Sequence, residues 1–171
     1  MRAPSLQILS VENTFGVNGW HCELLEGRDV IRAQFNAHHT RIVLHAQSYT
    51  PINALSVVGE CTLRISEDHQ AAILELLNRA NKNLNLGSFE FDIDRQQLCF
   101  RITNMFEREK YDADIVTSMV HCAIAELDRI TPYAAIVQRT RADLLDDLDL
   151  VRLLEREDLI PPVPGDDDDL P

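Results

Sequence analysis

Between Ser66 and Phe106 the spacing of apolar residues changes from a helical to a strand period, and that change predicts the centre of the fold. Ile73, Leu76, Leu77, Ala80 and Leu84 recur at steps of three and four, which draws one apolar stripe along a helix. Ser66 is placed to cap it, with Glu67 and Asp68 at the positive end of its dipole. Asn78, Asn81, Asn83 and Asn85 weaken the helix, and Gly87 can supply the left-handed residue that stops it. The period then becomes two. Phe89, Phe91 and Ile93 alternate with Ser88, Glu90 and Asp92, and Leu98, Phe100 and Ile102 alternate with Cys99, Arg101 and Thr103, which predicts a hairpin across 94–97.

Upstream, residues 20–65 read as an antiparallel meander. Strands cover 20–25, then Ile31, Ala33 and Phe35, then Ile42, Leu44 and Ala46, and last a long run in which Leu55, Val57, Gly59, Cys61, Leu63 and Ile65 share a face. Turns fall at 26–29, 36–39 and 50–53, and Gly59 within a strand predicts a bulge or a close approach by another backbone. The first nineteen residues fit either a short helix begun at Pro4, with Leu6 and Leu9 inward and an end at Gly16, or a strand; the helix is the better fit. Downstream, Asp112 caps a long helix whose stripe comprises Ile115, Val116, Met119, Val120, Ala123, Ile124, Leu127 and Ile130, and Pro132 should kink or restart it. Leu144, Leu145, Leu148, Val151 and Leu154 keep a helical spacing after that. Helices flanking an antiparallel sheet give an α+β fold.

Charge divides the chain further. Its net charge is -12, and residues 141–171 hold 11 acids against 3 bases, leaving 17 acids and 13 bases in 1–140. The expected organisation is one α+β domain over 1–140, an acidic amphipathic segment over 141–160 and a disordered Pro/Asp tail over 161–171. Without clustered Lys and Arg, neither nucleic acid nor an anionic membrane is an expected partner. No apolar run is long enough to span a bilayer and no secretory segment follows Met1. Cys22, Cys61, Cys99 and Cys122 are widely spaced, so four reduced thiols in a cytoplasmic protein are expected, with two disulfides as the alternative.

Asn81, Leu86-Gly87, Phe89, Phe91-Asp92, Leu98 and Phe100-Arg101, followed by a long helix with Pro132 near its end, resemble the YbjN-like family of small bacterial proteins over roughly 20–137. The hairpin turn, Asp94-Arg95-Gln96-Gln97, departs from the Gly, Asn or Asp turns common there. The resemblance implies a type III secretion chaperone-like fold and a non-enzymatic, often dimeric, protein-binding or regulatory role. It carries no catalytic residue across.

Candidate chemistry is sparse. His21, His38, His39, His45, Cys22 and Cys61 invite a metal, but adjacent His38 and His39 cannot both reach one ion and His45 shares a strand face with Arg41; surface histidines are the better account. Asp92-Ile93-Asp94 lacks the glycine and glutamate of a calcium loop, and no hydrolase elbow, phosphate loop or zinc helix is present. His121 and Cys122 point about 100° apart on a helix. Glu60, Arg64, Arg32 and Glu90 form a charged outer sheet face that solvent alone would explain. No catalytic residue, cofactor or metal ligand is expected. The expected function is chaperone-like or adaptor binding of another polypeptide through sheet edges or apolar helix surface, with a small enzyme or ligand-binding domain as the alternative. Leu144, Leu148, Val151, Ile124 and Leu127 are the expected interaction residues, because their apolar surplus suits a symmetric homodimer.

Overall fold

Period-two alternation builds one antiparallel sheet, and every helix lies on the same side of it. The computed structural model describes residues 3–160; the tail expected over 161–171 falls outside them. In chain order the elements are α1 (Leu6–Val17), β1 (Cys22–Leu24), β2 (Val30–Asn36), β3 (Arg41–Tyr49), β4 (Ala54–Arg64), α2 (Gln70–Asn81), β5 (Ser88–Asp92), β6 (Gln97–Met105), α3 (Ala113–Arg139) and α4 (Leu150–Leu154). The six strands are ordered β1-β2-β3-β4-β6-β5 with every neighbour antiparallel. The chain is thus an α+β protein.

Register places Leu24, Ile31, Ala46, Val57 and Ile102 in one inward row, and Ala33, Leu44, Gly59, Phe100 and Phe89 in the next. These side chains form one core with Ile8, Val11 and Phe15 of α1, Ile73 and Leu76 of α2, and Val120, Leu127 and Val137 of α3. Gly59 marks a close approach, but by a side chain where its strand position predicts a backbone. A Cβ there would stand 2.5 Å from Cδ1 of Leu127, so it is α3 that comes near. The bulge lies further along, where the β4–β6 register shifts between Glu60 and Arg64.

Four expectations are corrected. The first helix turns Ile8, Val11 and Phe15 inward, whereas Leu6 and Leu9 are 54% and 42% exposed. Gln7, Ser10 and Thr14 share the buried side because the hydroxyls of Ser10 and Thr14 donate to the carbonyls of Gln7 and Ser10, so polar character misstates the helix face. The helix ends at Val17, past Gly16, with Gly19 at φ +70° just beyond. Gly87 does not end α2, which stops at Asn81. Pro132 does not restart α3, which runs unbroken to Arg139 with buried Leu127, Ile130, Tyr133 and Val137 holding it on both sides.

The fourth correction concerns the segment after Arg141. A 3-10 turn over Ala142–Asp147 precedes the short α4, and this change of pitch shifts the inward face. Leu150 and Leu153 are buried while Leu144 and Val151 are exposed, and Leu145, Leu148 and Leu154 pack at the core margin. The segment lies on α2, and the Tyr133 hydroxyl donates to the Arg156 carbonyl at 2.9 Å. Much of the apolar surplus expected there is therefore spent within the protomer.

Candidate open-face binding site

Alternation that sends apolar side chains under the helices sends the polar ones to the opposite face. One outer row reads Glu23, Arg32, His45, Val58, Arg101 and Ser88 across six strands; its neighbour reads Gln34, Val43, Glu60, Cys99 and Glu90. Among the described residues the core recruits none of these.

Glu60 sits at the middle of the face, only 8% exposed. Arg95 reaches back from the hairpin turn and grips it with two prongs, Nη1 to Oε1 at 2.6 Å and Nη2 to Oε2 at 3.1 Å. Such fork-to-carboxylate contacts are the stronger class of charged hydrogen bond. The turn is set for this by Gln96 at φ 52° and by the Arg95 amide, which donates to Asp92 Oδ1 at 2.9 Å. A second fork joins Arg101 to Glu90, at 2.8 and 3.1 Å. Arg64 Nη1 donates to the Arg95 carbonyl at 2.7 Å, and Arg41 donates to Gln34.

Around the first fork lies a hollow of about 370 Å³, open to solvent and lined by Arg32, His45, Glu60, Arg64, Arg95 and Gln97 among others. Arg32 and Arg64 line it without an ion pair among the described residues. Gln97 is 6% exposed; its Nε2 donates to the Cys61 carbonyl at 2.9 Å, while its buried Oε1 has no partner among the described residues. Burial holds the His45 imidazole below its ordinary pKa, with Arg32 and Arg95 acting the same way against the pull of Glu60. Burial first, then Glu60 and Asp92, push the Cys99 thiol up to about 12. The face thus offers guanidinium donors and one unmet acceptor, with a thiol too weakly acidic to act as a nucleophile.

The remaining sequence candidates have structural partners. Asp128 accepts the His39 amide at 2.5 Å and ties the β2–β3 turn to α3, while the His38 and His39 rings meet edge-on. His121 rests against Trp20. Asp92, the calcium-loop candidate, holds the hairpin turn instead. All four cysteines are free thiols, with Cys61 and Cys99 buried. Among the described residues no group of three or more His, Cys, Asp or Glu side chains is placed to hold a metal ion, and no helix is long and apolar enough to cross a membrane.

Of the expected interaction residues, Leu127 is sealed against Gly59, Ile124 and Leu148 are half-buried, and Leu144 and Val151 alone are exposed. Sequence spacing did not reveal that Ser66 and His69 bond each other: Oγ and Nδ1 are 2.7 Å apart, and His69 Nε2 donates to the Thr140 carbonyl at 2.7 Å. Gln138 completes this clasp by donating Nε2–H to Ser66 Oγ and accepting the Ser66 amide, each at 3.0 Å. It welds the start of α2 to the end of α3.

The outer edge of the sheet is also occupied. Asn81 faces β5 and uses its amide as a strand would: Oδ1 accepts the Phe89 amide at 2.7 Å and Nδ2 donates to the Phe89 carbonyl at 3.1 Å. Gly87 lies beside it at φ +69°, with room for no Cβ over the Phe100 ring. Asn81, Gly87, Phe89 and Phe100 therefore act as one packed unit that closes the β5 edge. No protein-family model matches the chain, and neither does any curated protein.

Proposed function

We propose that the protein is a non-enzymatic binding module of the chaperone or adaptor kind, which holds another polypeptide on the open face of its sheet. The observation that carries the proposal is the one-sided placement of the helices, which leaves a six-stranded face uncovered. The edges are poorer docking sites, since Asn81 occupies β5 and β1 is three residues long. A small enzyme would need a deep pocket with converging polar groups. The hollow here is shallow, and Cys99, elsewhere on the face, is held protonated. Kinship with YbjN-like proteins belongs to the same proposal, supported by the packed unit around Asn81 and Gly87. Four free thiols suit a reducing cytoplasm.

A photo-crosslinking residue placed at Thr62 or Thr103, both exposed on this face, should give discrete adducts in the source cell, while one at Glu75 on the helical side should not. Adducts from Glu75 alone would overturn the open-face assignment. The proposal includes a symmetric homodimer through the 142–154 segment, where Leu144 and Val151 stay exposed. Light scattering at micromolar concentration should report twice the chain mass, and Val151→Asp should return it to one chain with the fold intact. A wild-type protein that scatters as a single chain at high concentration would remove the dimer.

A further inference from the structure

We infer that the ligand of the open face is an extended acidic segment of a partner protein, seated with its carboxylates on Arg32 and Arg64 and a backbone N–H on Gln97; the inference rests on the open-face binding proposed above. The face already displays the chemistry twice. Arg95 and Arg101 are each closed on a carboxylate by two prongs, Glu60 and Glu90 respectively, while Arg32 and Arg64 line the hollow and form no ion pair among the described residues. Within the hollow, three guanidiniums stand against the one carboxylate of Glu60, in a chain whose net charge is -12. A local excess of positive charge on an acidic protein steers an acidic partner to that spot and repels it elsewhere.

Gln97 decides between kinds of anion. Gln97 lines the same hollow, and its Oε1, buried just behind that wall, has no partner among the described residues. An unmet buried acceptor is unfavourable, so a ligand that brings a donor with its negative charge is favoured here. An extended peptide supplies both, because carboxylates two residues apart fall on one side while backbone N–H groups lie between them.

The test is fluorescence anisotropy at low salt with a labelled eight-residue peptide alternating glutamate and alanine. It should bind the full chain, and its glutamine counterpart should not. Arg32→Gln with Arg64→Gln should weaken binding about tenfold or more, and Gln97→Met should weaken it severalfold. The same charge change elsewhere, Arg139→Gln with Arg152→Gln, should leave binding within about twofold. Thermal melts should match wild type for Arg32→Gln, which breaks no ion pair among the described residues, and Arg64→Gln should lose only its hydrogen bond to the Arg95 carbonyl.

Equal weakening by the two double variants would overturn the inference in favour of unspecific charge. So would displacement by inorganic phosphate at concentrations where chloride does nothing, which would mark a simple anion site. Binding that tightens tenfold when Asp166, Asp167, Asp168 and Asp169 are all changed to Asn would assign the face to the chain's own acidic run instead of a partner. If the peptide does not bind but Thr62 and Thr103 still crosslink a polypeptide, the acidic ligand falls and the open-face site stands. If crosslinking fails as well, both fall.

Discussion

Gly87→Ala should cost more than about 3 kcal/mol of stability, the largest effect of any single-methyl change in this chain. Two penalties coincide there. The backbone sits at φ +69°, where a residue with a Cβ pays about 1–2 kcal/mol. The added Cβ would also stand 2.5 Å from Phe100 Cζ and 2.7 Å from the Arg101 carbonyl oxygen, and the latter is ladder backbone that cannot move aside. Gly19→Ala isolates the two terms, because Gly19 has φ +70° with nothing within 4 Å. It should cost only about 1 kcal/mol, the conformational share alone. Urea titration of both variants measures the difference, and equal midpoints would show that the packing against Phe100 is not tight.

Tyr111 should be the second weak point. It is 2% exposed and stacks on Phe106 at 4.2 Å between ring centroids. Its hydroxyl donates to the Ala54 carbonyl at 3.0 Å and lies 2.9 Å from Ser48 Oγ, while its amide donates to Ser10 Oγ at 3.1 Å. One residue thus joins α1, β3 and β4 just before α3 begins. Tyr111→Ala should lose about 3–5 kcal/mol through the emptied volume. Tyr111→Phe should lose about 1–2 kcal/mol, because the Ala54 carbonyl is left without its donor. A Phe variant as damaged as the Ala variant would mean that the hydroxyl, and not the ring, holds this junction.

What was legible in the sequence was whatever depends on period. The alternation through Ile31, Ile42, Val57 and Phe100 marks the inner face correctly, and Asp112 caps α3 by accepting the Asp114 and Ile115 amides. Period fails where polar side chains satisfy themselves locally, as Ser10 and Thr14 do in α1, and where helical pitch changes, as it does before Leu150. The centre of the candidate site was hidden for another reason. Glu60 and Arg95 are 35 residues apart, and only the turn conformation at Gln96 aims the guanidinium at the carboxylate. Asn81 shows the same limit: it reads as a weak helix former, yet its amide is what occupies the edge of β5.

The tie between α1 and the start of α3 has a consequence for synthesis on the ribosome. Ser10 and Tyr111 are 101 positions apart, and Asn18, which donates to Thr117 Oγ1, is 99 positions from its partner. At about 5–20 residues per second, Ile8, Val11 and Phe15 leave the exit tunnel about 5–20 seconds before α3 exists to cover them. Contacts within the first 36 residues offer a cover for that interval. Trp20 meets Phe15 edge-on at 5.2 Å and then Phe35 at 5.7 Å, so the first three strands can shelter the helix as soon as they emerge. If those ring contacts form early, a chain cut before α3 should already bury Trp20, with a blue-shifted fluorescence that Phe35→Ala removes.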